Sequence, residues 1–91
     1  MNFGEAIEAL KDGFKVKRKV WPEWNFLWLK RAARVKAEWC KDPLLKQLAL
    51  FNGGAINAKG TICAYFDGAI VSGYTPTQED MLSEDWSIMS D

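Results

Sequence analysis

At Gly13 the spacing of apolar residues changes period, and that change narrows the folds open to this 91-residue chain. Before it, Phe3, Ala6, Ile7 and Leu10 recur at i, i+3, i+4 and i+7, which places them on one face of a helix. After it, Phe14, Val16 and Val20 alternate with Lys15, Lys17 and Lys19, as in a strand buried on one side. Asn2 caps the helix, and Glu5 three residues on completes a capping box. Lys11 suits the negative end of the helix dipole, and Gly13 supplies the left-handed stop. So short a helix needs a surface to lie on. The expected class is α+β: an N-terminal helix packed on a small antiparallel sheet of about four or five strands, with a helical insertion in the middle. Residues 1–91 are expected to form a single domain.

The rest of the chain extends that pattern. Trp21-Pro22-Glu23-Trp24-Asn25 reads as a turn, because Pro22 cannot donate to a sheet ladder. A second strand is expected from Phe26 to Arg31, extensible to Ala33; its Phe26-Leu27-Trp28-Leu29 core is apolar on both sides, so both faces should be covered. A partner subunit is one way to cover the outer one. Asp42-Pro43 is a standard helix start, and Leu44, Leu45, Leu48 and Phe51 continue it as an apolar stripe up to Asn52-Gly53-Gly54. Arg34 to Cys40 fits strand or helix, and Asn52 to Gly60 reads as a loop. Asp67-Gly68, flanked by Thr61 to Phe66 and Ala69 to Ser72, is the strongest hairpin signal in the chain. Thr77 caps a short acidic helix, with Asp80 three residues on and Met81-Leu82 as its apolar contact. Trp86 and Ile88 alternate with Ser87 in a final strand.

Composition excludes several kinds of chemistry. The chain has no histidine, which removes the commonest general base near neutral pH and the commonest metal ligand. Cys40 and Cys63 are too few and too far apart for a thiolate zinc site, and read as reduced thiols. Binding is therefore expected rather than catalysis, with no cofactor and no metal. No apolar run approaches the roughly 18–20 residues of a membrane span. Met1-Asn2-Phe3-Gly4-Glu5 lacks the pattern of a secretion signal, so the expected location is the cytoplasm, away from membranes. Residues 1–41 hold ten Lys/Arg against five Asp/Glu, and residues 42–91 hold two against seven. That asymmetry points to an anionic partner or to self-association, while a pI near 6.2 argues against a nucleic acid polymer.

Five tryptophans give the chain its candidate binding surface. Trp28 and Trp86 read as core. Trp21 and Trp24 lie in a turn directly after a lysine-rich strand, where an indole face stacks a base and Lys15, Lys17, Lys19 or Arg18 neutralises phosphate. Arg18 falls on the apolar side of its strand, a position costly for a charge unless it is paired or lies at a pocket mouth. Glu79, Asp80, Glu84 and Asp85 read as helix-start charges rather than as a metal or acid–base cluster. Thr75 and Thr77 flank Pro76 and offer hydroxyls to a cap or a ligand.

The two ends of the chain resemble a known family. The start Met1-Asn2-Phe3-Gly4-Glu5-Ala6, with Leu10-Lys11, Gly13, Val16, Arg18 and Trp21, and the finish Pro76-Thr77-Gln78, Asp80, Leu82 and Glu84-Asp85-Trp86 are similar to the Thoeris anti-defence 2-like domain family of phages and prophages. The resemblance covers roughly 35 positions; Val20, Pro22-Glu23-Trp24 and Tyr74 depart from the family's usual residues, and 34–60 matches none of its pattern. It implies a non-enzymatic, ligand-binding sponge that sequesters a cyclic nucleotide immune signal, either a cyclic ADP-ribose derivative or a cyclic oligonucleotide. It also implies a homo-oligomer, dimer or tetramer, with pockets between subunits. By the same resemblance Arg18, Trp21, Tyr74, Thr75 and Thr77 are expected ligand-binding residues, and Trp24 joins them from its place in the turn beside the lysine-rich strand. Trp21 and Tyr74 would stack bases, and Arg18 would neutralise phosphate. The rival expectation is an interaction protein that inhibits a host protein through exposed aromatics; a carboxylate-based phosphodiesterase is a third.

Overall fold

The computed structural model describes residues 1–89 and contains two compact units, one built from residues 1–30 with the chain from Thr61 onward, the other from Arg31–Gly60. In the first, α1 (Phe3–Lys11) carries the expected capping box: the Asn2 side chain accepts from the Glu5 amide and the Glu5 carboxylate accepts from the Asn2 amide. Gly13, at φ 94°, turns the chain out of the helix. Five antiparallel strands follow: β1 (Lys15–Arg18), β2 (Phe26–Lys30), β5 (Thr61–Phe66), β6 (Ala69–Ser72) and β7 (Trp86–Met89), in the spatial order β6-β5-β2-β1-β7. Asp67 and Gly68 take φ 50° and 81°, the two positive values that a type I′ hairpin turn requires. A short helix, α3 (Gln78–Leu82), starts from the Thr77–Asp80 capping box.

Register decides which side chains meet α1. Val16 pairs with Leu27 and Leu27 with Ala64, so all three project to the same side of the sheet. There they pack with Ala6, Ala9, Leu10 and Trp86 into one core, rimmed by Phe3, Ile7, Trp21, Leu29, Ile62, Phe66 and Tyr74. Burial of each large member contributes about 1.5–3 kcal/mol. Trp86 is 1% exposed, and its indole N–H donates to the Asp80 carbonyl at 2.9 Å, so its polar atom stays satisfied inside. On the opposite side of β2, half-buried Phe26 stacks on Tyr65 and lies close to Trp28, so both faces of this strand carry aromatic packing.

The basic strand is shorter than its alternation suggests. Phe14 and Val20 lie outside β1 and are exposed; among the described residues, pairing with β7 runs from Lys15–Met89 to Arg18–Trp86. β2 likewise ends at Lys30. Met81, Leu82 and Ile88 are exposed, so the pair offered as the apolar contact of α3 makes none in the core; Trp86 fills that place.

The second unit opens with β3 (Ala33–Lys36) and a single 3-10 turn, Ala37–Trp39, so the stretch legible as strand or helix is one followed by the other. Asp42 caps α2 (Pro43–Phe51), accepting from Leu44 and Leu45 amides, and Asn52-Gly53-Gly54 closes it. The expected loop over Asn52–Gly60 contains β4 (Ala55–Ala58), paired antiparallel to β3. Its buried residues are Ala37, Ala49 and Ala55, small enough to let helix, turn and hairpin approach closely. Leu44, Leu45, Leu48 and Phe51 point outward, with Phe51 92% exposed. Periodicity identifies an apolar stripe; it carries no information about what the stripe faces.

Candidate ligand-binding site

The site is assembled where the end of β1 meets α3. Arg18 keeps the inward parity of Val16, so its side chain runs into the molecule and is 7% exposed. Three carboxylates receive it. Its Nε donates to Asp85 Oδ1 at 3.0 Å and its Nη2 to Asp85 Oδ2 at 3.5 Å; its Nη1 donates to Asp80 Oδ1 at 3.0 Å and to Glu79 Oε1 at 3.3 Å. Asp85 holds the guanidinium protonated well above the ordinary arginine value, against the opposing effect of burial. One cation facing three anions leaves this cluster with an excess of negative charge.

Asp80 is the junction. Its Oδ2 accepts from the Tyr74 hydroxyl and from the Thr77 amide at 3.2 Å, while its own amide donates to Thr77 Oγ1 at 3.1 Å. Burial pushes the Asp80 carboxyl up, but the hydrogen bonds from Tyr74, Thr77 and Arg18 outweigh it and hold the group below the usual carboxylate range. Arg18 does the same for Asp85. Tyr74 is pushed in the opposite direction, well above an ordinary phenol, first by burial and then by its bond to the Asp80 carboxylate.

Above this network sits an aromatic cluster. Trp21 is half-buried, edge-on to Phe66 at 5.1 Å, to Trp86 at 5.2 Å and to Tyr74 at 6.2 Å between centroids. Edge-to-face contacts of this kind contribute about 0.5–1.5 kcal/mol each beyond area burial. The turn that carries Trp21 is held at both ends: the Trp21 amide donates to the Arg18 carbonyl, and buried Asn25 accepts from the Asp67 amide at 3.2 Å. Lys17 Nζ donates to the Pro22 carbonyl at 2.9 Å, which sets an ammonium beside the same turn.

Arg18, Trp21, Tyr74 and Thr77 are thus brought together, with Thr75 exposed on the segment that follows Tyr74. Trp24 stands apart on the turn, 69% exposed. Asp80, Asp85 and Glu79 are the members that sequence reasoning assigned to the helix dipole instead. The signal for them was present: an inward arginine calls for buried counter-charge, and 79–85 is the densest acidic segment. Nothing in the sequence marked Asn25 or Phe66.

This arrangement is a small α+β domain, a helix on a five-stranded antiparallel sheet, with its charged and aromatic clusters gathered at the β1 end and the 74–86 segment. The chain belongs to the Thoeris anti-defense 2-like domain family, which matches it over residues 1–89. It is similar to Thoeris anti-defense 2 of Bacillus phage SP01, with 32% identity over 98 residues spanning 99% of this chain and 96% of that protein. Membership gives the chain its broad role, phage anti-defence.

Proposed function

We propose that this chain is a sponge: it binds a cyclic nucleotide immune signal, a cyclic ADP-ribose derivative or a cyclic oligonucleotide, and holds it without cleavage. The observation that carries the reading is the half-buried Trp21–Tyr74 pair beside a lysine-bearing turn. A flat π-face takes a base, and an ammonium near its edge takes phosphate charge. In this reading Trp21, Trp24 and Tyr74 supply the aromatic faces, Thr75 and Thr77 line the segment beside them, and Arg18 anchors that segment. Lys17 and exposed Lys19 contribute the positive charge. A homo-oligomer, dimer or tetramer, completes the pocket from a second copy, and the complex works in the cytoplasm of the infected cell.

Sequestration requires the free signal to stay below its receptor's threshold, so affinity must be high at the concentrations of infection. The test is capture followed by release. Protein is incubated with cyclic ADP-ribose, a cyclic dinucleotide and a cyclic trinucleotide, separated by filtration, then heat-denatured. Retention of one compound and its intact recovery support the sponge; altered product indicates a phosphodiesterase. Failure to retain any of them favours the rival reading, inhibition of a host protein through exposed Trp24. Native mass measured with and without the retained compound tests the oligomer. Trp21→Ala is expected to weaken capture by about 1–3 kcal/mol, read by calorimetry, with the fold intact by circular dichroism.

A further inference from the structure

Resting on the capture reading above, we propose that Arg18 is a positioning residue of the site: it acts through Asp80 on Tyr74, aiming the aromatic ring, and does not itself contact the ligand's phosphate. The guanidinium is nine-tenths buried, and its donors are directed at Asp85, Asp80 and Glu79. A phosphate approaching it would meet three carboxylates first. The same Asp80 carboxylate that faces Arg18 at 3.0 Å through Oδ1 receives the Tyr74 hydroxyl through Oδ2. The chain of contacts therefore runs from β1, through a fork of charged hydrogen bonds, to the phenol of a ring that lies edge-on to Trp21. Arginine suits this task because its planar fork fixes two carboxylates at once, which a lysine ammonium cannot do.

Asp80→Asn separates the two roles by sign. If Arg18 gripped phosphate, removing the carboxylate that competes for it would leave capture unchanged or tighter. A positioning role predicts capture about tenfold weaker, because the Tyr74 link loses its charged acceptor. Tyr74→Phe keeps the ring and is expected to weaken capture by a similar factor. The double variant should be no weaker than either alone, since both cut one link. Arg18→Lys retains the charge and loses the fork, and is also expected to weaken capture. Unchanged or tighter binding by Asp80→Asn, or wild-type binding by Tyr74→Phe, overturns the assignment.

A second measurement needs no ligand. The Tyr74 hydroxyl proton of the free protein, assigned by its loss in Tyr74→Phe, should give a slowly exchanging downfield proton resonance that disappears in Arg18→Lys. Its persistence there, unchanged, overturns the positioning role even if capture is robust. If the wild-type chain retains none of the three compounds, the sponge reading fails, and this resonance alone decides the link from Arg18 to Tyr74.

Discussion

Arg18 is where the local pattern of this chain breaks its own rule, and the break is informative. An inward charge on an apolar strand face survives because Asp80 and Asp85 surround it, with Glu79 at the rim. Both aspartates are held below the ordinary carboxylate value, so their contribution to stability is complete above about pH 4 and is lost as pH falls through and below that range. Thermal melts are expected to show a nearly constant midpoint from neutral pH down to about 5 and a fall below about 4, shallower in Asp80→Asn. Tyr74 works in the other direction. Its raised value makes its contribution complete below the ordinary phenol range near 10 and lost as pH rises above it. In a tyrosinate absorbance titration, the step abolished by Tyr74→Phe is expected to lie above that range, and to move down in Asp80→Asn. The need for a counter-charge at Arg18 was legible in strand parity alone. Which acids answer it was not, because they lie more than sixty positions away and are brought there by the β1–β7 pairing.

At the scale of elements, local chemistry was a dependable guide to where elements start and stop, and a poor one to what they face. The Asn2 cap, the Asp42-Pro43 start, the Asp67-Gly68 turn and the Thr77–Asp80 box all form as their residues demand. Asn2→Ala is expected to cost about 1 kcal/mol in denaturant melts. Gly68→Ala should cost about 1–2 kcal/mol, and through backbone conformation alone, since an added Cβ at φ 81° meets nothing within 4 Å. For α2 the structure inverts the sequence expectation. Ala49 is buried while Leu44 and Leu48 are exposed. Ala49→Leu is therefore expected to destabilise by about 1–3 kcal/mol through overpacking, and Leu44→Gln to shift stability by less than about 0.5 kcal/mol in the isolated chain. A larger loss in Leu44→Gln would mean that this stripe is covered.

For the molecule as a whole, the decisive feature is the point of insertion. Lys30 and Thr61 are direct partners across β2 and β5, so the second unit, Arg31–Gly60, is an excursion between two strands that already pair. Replacing residues 31–60 by Asn-Gly is expected to leave a folded five-stranded unit with a cooperative melt and the near-ultraviolet signal of its packed tryptophans. A non-cooperative melt would show that the inserted unit is needed for the fold. Sequence by itself determined the helix, its cap, the hairpin, the α+β class and the aromatic and basic character of the β1 end, because these depend on residues a few positions apart. The partners of Arg18, the hidden second strand pair and the direction of the α2 stripe were decided only by tertiary structure. Each depends on which distant segment lies opposite, and strand register, not local propensity, makes that choice.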